Sequence, residues 1–155
     1  MAPITEIETH KKIIDAAIKA GVKRLILSDF GTNVPELQTT EPVPIYQGKV
    51  KIREYMERRE DAGLTWTGVV VRAFFDWFAF QVAVVATTIF DSSDTLTNFT
   101  LLSTVGKATS AILEKPAETA NRYVFINSFR TTQNHVLATL KKATGEEWKM
   151  KKTIC

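Results

Sequence analysis

Two apolar runs constrain this chain more than anything else in it. "RLILS" (residues 24–28) and "WTGVVVRAFF" (66–75) are continuous rather than alternating, and each follows an amphipathic stretch closed by a glycine, Gly21 or Gly63. A strand with one solvated face alternates apolar and polar residues, so continuous runs predict strands buried on both faces. Strands of that kind lie side by side in parallel, and parallel strands need helical crossovers of about the length seen between these runs.

The rest of the sequence follows the same alternation. A helix is predicted from about Thr9 to Ala20, with Ile13, Ile14, Ala17 and Ile18 on one stripe and Gly21 as its stop. A second is predicted from Tyr46 or Lys49 to Ala62, with Ile52, Tyr55 and Met56 inward. "ATTIF" predicts a short strand, and Ser103 is placed as the cap of a third helix with Val105, Ala108 and Ile112 inward. "NRYVFINS" predicts a strand. Thr131 or Thr132 caps a fourth helix carrying Val136, Leu137, Leu140 and Ala143 inward and stopped at Gly145, and "EEWKMKK" predicts a last, partly exposed strand. The class is α/β with a mainly parallel sheet, and 155 residues suit one domain with a core of its own.

Several functions are excluded. The net charge of +3 is spread out except at Lys149, Lys151 and Lys152, and no basic stripe interleaved with aromatics suggests nucleic acid as a partner. The apolar stretch from Val69 to Phe90 is interrupted by Arg72, Asp76 and Gln81, so a membrane span is not expected. "MAPITEIETHKK" has no apolar signal core, and the single cysteine, Cys155, rules out an internal disulfide and fits a cytoplasmic location. His10 and His135 have no metal-ligand spacing around them, so no metal is expected. Asp29-Phe30-Gly31 is the triplet with which protein kinases hold magnesium, but that chemistry also needs a catalytic loop and a glycine-rich cover. The 28 residues upstream of Asp29 contain neither.

Ligands of open parallel sheets bind outside the carboxyl ends of the strands. Ser28, Asp29 and Phe30 fall at one such end, Phe74 and Phe75 at the next, and Lys49 opens the helix between them. This is either a hydroxyl, a lysine and an aromatic wall converging on one rim, or a turn serine, a surface lysine and core phenylalanines.

Three blocks carry a resemblance: "KKIIDAAIKAGVKRLILSDFGTN", "KVKIREYMERREDAGLTWTGVVVRAFFDWF" and "TVGKATSAILEKPAETANRYVFINSFRTTQNHVLATLKKATGEEW". In this order the chain resembles the NmrA-like and isoflavone reductase-like proteins, an atypical branch of the short-chain dehydrogenases, and most closely the fungal oxidoreductases of secondary metabolism. The resemblance implies a partial Rossmann-like domain over residues 1–155, the central and C-terminal part of such a fold, lacking its first βαβ portion. It implies an oxidoreductase that uses NADP(H) or NAD(H) to reduce a small aromatic or polyketide-derived substrate. The family's S-E-F-G becomes Ser28-Asp29-Phe30-Gly31, and its K-x-K-x-R becomes Lys49-Val50-Lys51-Ile52-Arg53. Lys49 is then the catalytic lysine, a proton donor or carbonyl polariser. Ser28, Phe30 and Phe74 face the cofactor, and Phe75, Trp77 and Phe78 line the substrate pocket. Tyr46 is a weaker candidate beside Lys49, and Gly106 matches the family's V-G-K without a catalytic role. A non-catalytic dinucleotide-sensing regulator that binds a protein partner, or an inactive truncated remnant, are the alternative readings.

The seven glycines (21, 31, 48, 63, 68, 106 and 145) contain no G-x-G or G-x-x-G pair to cradle a pyrophosphate. This polypeptide alone is therefore expected to bind NADP(H) weakly or not at all. The apolar "RLILS" strand would make a poor exposed edge, and self-association through it is expected.

Overall fold

A computed structural model of the chain describes residues 6–31, 44–76, 86–90, 94–145 and 149–153. In chain order the elements are α1 (Ile7–Lys19), β1 (Arg24–Leu27), α2 (Pro44–Glu57), a 3-10 turn at Glu60–Ala62, β2 (Thr65–Val70), β3 (Ala73–Phe74), β4 (Ala86–Phe90) and β5 (Thr97–Thr100). Then follow α3 (Leu102–Glu114), α4 (Pro116–Thr119), β6 (Arg122–Phe125), β7 (Phe129–Thr131), α5 (Gln133–Thr144) and β8 (Lys149–Thr153).

The two apolar runs are neighbours. β1, β2 and β6 form a parallel sheet in that order, with Leu27, Gly68 and Tyr123 side by side across it. Among the described residues β1 has no strand on its other side. A second sheet, β3-β5-β7, is parallel between β3 and β5 and antiparallel between β5 and β7, while β4 pairs with β8 in parallel.

Continuous apolarity in β2 has the expected cause, burial on both faces, whereas the residues of β1 pack on both sides but are only partly buried. Trp66 packs on one side with Leu64, Ile14 of α1 and Ile52 and Met56 of α2, joined by Leu25, Leu27 and Tyr123. Val69 and Val71 pack on the other with Ile112 of α3, joined by Ile26, Val124, Phe30 and Phe74. Burying one such aliphatic side chain contributes about 1.5–3 kcal/mol. α1 and α2 are also clamped outside the core, where the Tyr55 hydroxyl donates to the Asp15 carboxylate at 2.8 Å and Arg59 stacks 3.7 Å over the Tyr55 ring.

Arg24 turns inward from β1. Its guanidinium donates to the hydroxyls of Thr65 (2.8 Å), Thr67 (2.7 Å) and Thr119 (3.2 Å), and to the Pro116 carbonyl. One side chain thus ties β1 and β2 to the α3–α4 junction. Asn121 adopts a left-handed φ of 51° and pairs with Trp66 as a strand residue would, accepting its N–H on the side-chain oxygen and donating its own N–H to its carbonyl.

Several local expectations shift. α2 begins at Pro44 and ends at Glu57; the chain then makes the 3-10 turn before Gly63 takes the left-handed stop, φ 77°. Ile13 is half exposed while Ile14 is buried, and Ala143 is exposed. Ser103 is not the cap of α3. The cap position is Leu101, and the first amides of the helix are satisfied from afar, Leu101 N–H by Ser128 Oγ at 3.0 Å and Leu102 N–H by Asp76 Oδ2 at 2.6 Å. α5 is bounded as expected, by the Thr132 hydroxyl accepting from His135 N–H at 3.1 Å and by Gly145.

Candidate functional site

The chain reverses sharply where β1 ends. The Asp29 N–H donates back to the Leu27 carbonyl at 3.0 Å, a three-residue turn of the kind that often closes a strand. That turn sends Asp29 inward, where it is only 6% exposed. Opposite it stands Lys49, in the second turn of α2 rather than at its start, and 7% exposed. Its ammonium does not reach solvent as a surface lysine would. It donates to the Phe30 carbonyl at 2.7 Å and, at the long limit of a hydrogen bond, to the Ser28 carbonyl at 3.5 Å.

Gly68 makes this arrangement possible. A Cβ there would lie 2.5 Å from the Tyr123 ring and 2.9 Å from Asp29 Oδ2, so only a bare backbone lets both side chains cross β2. Tyr123 is held edge-on to Trp66, with ring centroids 5.2 Å apart. Asp29 Oδ2 is buried with no hydrogen-bond partner among the described residues. Burial pushes the Asp29 carboxyl up to about 6, against the opposing pull of Lys49 and Arg53. Burial also lowers the Lys49 ammonium below the usual lysine range, while the Asp29 charge resists it. The Tyr123 hydroxyl is raised, first by burial and then by the Asp29 charge.

Phe30 and Phe74 meet edge-to-face, 5.3 Å between centroids at 81°. Ser28, Lys49, Phe30 and Phe74 therefore do lie together at the carboxyl ends of the parallel strands. Phe75 does not join them. It packs against Phe129 (5.0 Å) and Phe99 (5.7 Å), where it lines a separate cavity of about 310 Å³ with Phe129, Arg130, His135, Val136 and Leu140. Trp77 and Phe78 lie outside the described residues, as does the side chain of Tyr46. Asp29 was expected at this strand end but given no role, and Gly68 and Tyr123 had no place in the expected site; the only sequence signal was a carboxylate directly after a buried strand.

A nicotinamide ring fits this rim chemically: Phe30 and Phe74 offer an aromatic wall and Lys49 a cation held off the solvent. For a pyrophosphate the chain's glycine spacing offers no cradle. Among the described residues no group of His, Cys, Asp and Glu could hold a metal, and no helix is long and apolar enough to cross a membrane.

The family model described as "NmrA-like family" matches residues 2–153. The oxidoreductase aprR of Aspergillus flavus is 36% identical over 148 residues, which cover 92% of this chain and 50% of that protein. The crystal structure of an isoflavone reductase superposes with a TM-score of 0.72 at 28% identity, over 96% of this chain and 50% of the other. AtPrR2 with NADP+ and (+)pinoresinol shares the fold, with a TM-score of 0.74 at 21% identity over 96% and 50%. The chain thus spans about half the length of the curated relatives it matches.

Proposed function

Because the chain belongs to the NmrA-like family, we propose that it carries the proton-donating side of an NAD(P)H-dependent oxidoreductase site. The substrate class is a small aromatic or polyketide-derived carbonyl compound of secondary metabolism, and Lys49 is the acid. The observation that carries this reading is the buried Lys49 ammonium, fixed at 2.7 Å on the Phe30 carbonyl beside the Phe30–Phe74 wall. The aprR resemblance supports the redox class, and the isoflavone reductase and AtPrR2 resemblances are in keeping with a reduced nicotinamide as cofactor.

When bound, the reduced nicotinamide supplies a hydride to the carbonyl carbon. Lys49 gives its proton to the carbonyl oxygen and is left as a neutral amine, which water reprotonates. Two features of the chain favour that transfer. Desolvation makes the ammonium a stronger acid than a surface lysine, and its anchorage to the Phe30 and Ser28 carbonyls limits where its remaining N–H bonds point.

The test is Lys49→Ala in NADPH-dependent carbonyl reduction, made in a longer form of the protein that carries the dinucleotide-binding portion and reduces substrate. A positioned acid contributes about 10²–10⁴-fold, so turnover is expected to fall by at least about 10²-fold. Unchanged turnover removes Lys49 from the mechanism.

A further inference from the structure

A carboxylate taken out of water with an oxygen left unpaired is costly, and proteins keep such groups where they serve a neighbour. Asp29 is one: buried, its Oδ2 without a partner among the described residues, and accommodated only because Gly68 has no side chain. The groups that face it are few. Among the described residues α2 contributes Lys49 and Arg53, β6 contributes Tyr123, and β2 contributes Gly68. Glu57 pairs with Arg53 at 3.7 Å and its charge also acts on Tyr123. Lys49 in turn is anchored on the two carbonyls that flank Asp29, so the backbone that buries the carboxylate also holds the ammonium.

We propose that Asp29 is the positioning residue for Lys49, its buried carboxylate and the lysine ammonium forming one coupled proton-holding pair. Ionised Asp29 supports the charge on Lys49 and makes it a weaker acid; protonated Asp29 withdraws that support and makes it a stronger one. Two groups coupled this way titrate as a unit. The Asp29 step falls at about 6, so the acidity of Lys49 responds to pH where an ordinary lysine is indifferent. The proposal rests on Lys49 as proton donor, and Asp29 itself need not touch substrate.

The experiment is an NMR titration of the full chain, following the Asp29 side-chain carboxyl carbon and the Lys49 side-chain nitrogen, with Lys49→Arg to assign the lysine signal. In the wild type the Asp29 signal is expected to turn over near pH 6, and the Lys49 signal to show an inflection at the same pH. In Asp29→Asn that inflection disappears and deprotonation of Lys49 moves to lower pH; Asp29→Glu restores both. A Lys49 signal that passes through the Asp29 step without inflection overturns the proposal, and so does an Asn variant with the wild-type lysine titration. Should Asp29→Asn fail to fold, the wild-type inflection alone decides. The readout is independent of turnover. Loss of coupling with an inactive Lys49→Ala sinks this inference alone, whereas intact coupling with an active Lys49→Ala sinks the catalytic reading.

Discussion

Replacing Asp29 with asparagine removes one negative charge and keeps the side chain's shape, which isolates the cost of burying the carboxylate. The folded carboxyl titrates at about 6 against 3.8 for an unperturbed aspartate. The difference is about two units, and at about 1.4 kcal/mol per unit it amounts to about 3 kcal/mol. The folded chain holds this proton more tightly than the unfolded chain does. Stability is therefore fully present below pH 3.8 and is lost as the pH rises through about 6. Lys49 acts in the opposite sense: its lowered folded value returns some stability on the alkaline side. Urea denaturation of both proteins between about pH 4 and pH 8 measures the effect. The variant should lack the downward slope and gain on the wild type by up to about 3 kcal/mol at the alkaline end. The gain is reduced to the extent that Lys49 misses its partner. Parallel curves for the two proteins would refute the assignment of this cost to Asp29.

Gly68→Ala forces a Cβ to within 2.5 Å of the Tyr123 ring and should cost about 1–3 kcal/mol, read as a lowered thermal midpoint. An unchanged midpoint would mean that Tyr123 moves aside freely. NADPH fluorescence titration of this polypeptide should show weak binding or none, because its glycines lack the spacing that cradles a pyrophosphate; micromolar affinity would contradict that.

What could be read in the sequence was local. α5 is written in its own ends, a threonine that caps and a glycine that stops, and its boundaries hold. β1 and β2 are written in their continuous apolarity, which two packed faces explain, fully buried in β2 and partly in β1. The start of α3 was not legible, because its cap comes from Asp76 and Ser128, each more than twenty positions from the amide it satisfies. β3 and β7 are two and three residues long, too short for any periodicity to show. Lys49, Ser28, Phe30 and Phe74 came to one rim through the resemblance of the blocks that hold them, and the geometry brings them together. Phe75 did not follow, because β3 ends at Phe74 and the next ring joins Phe99 and Phe129. The depth of Asp29 was hidden for a different reason: it depends on a missing side chain at position 68 and a ring at position 123, distant in sequence.

That empty position on β2 also restricts how the chain can vary. Residues 29, 68 and 123 share one volume, so none of them can drift alone. A methyl group at 68 demands a smaller residue at 123 or the loss of the carboxylate at 29. Among relatives the three positions should therefore covary. A lineage that has filled position 68 should be found to have given up the buried acid, and with it any pH response of its lysine.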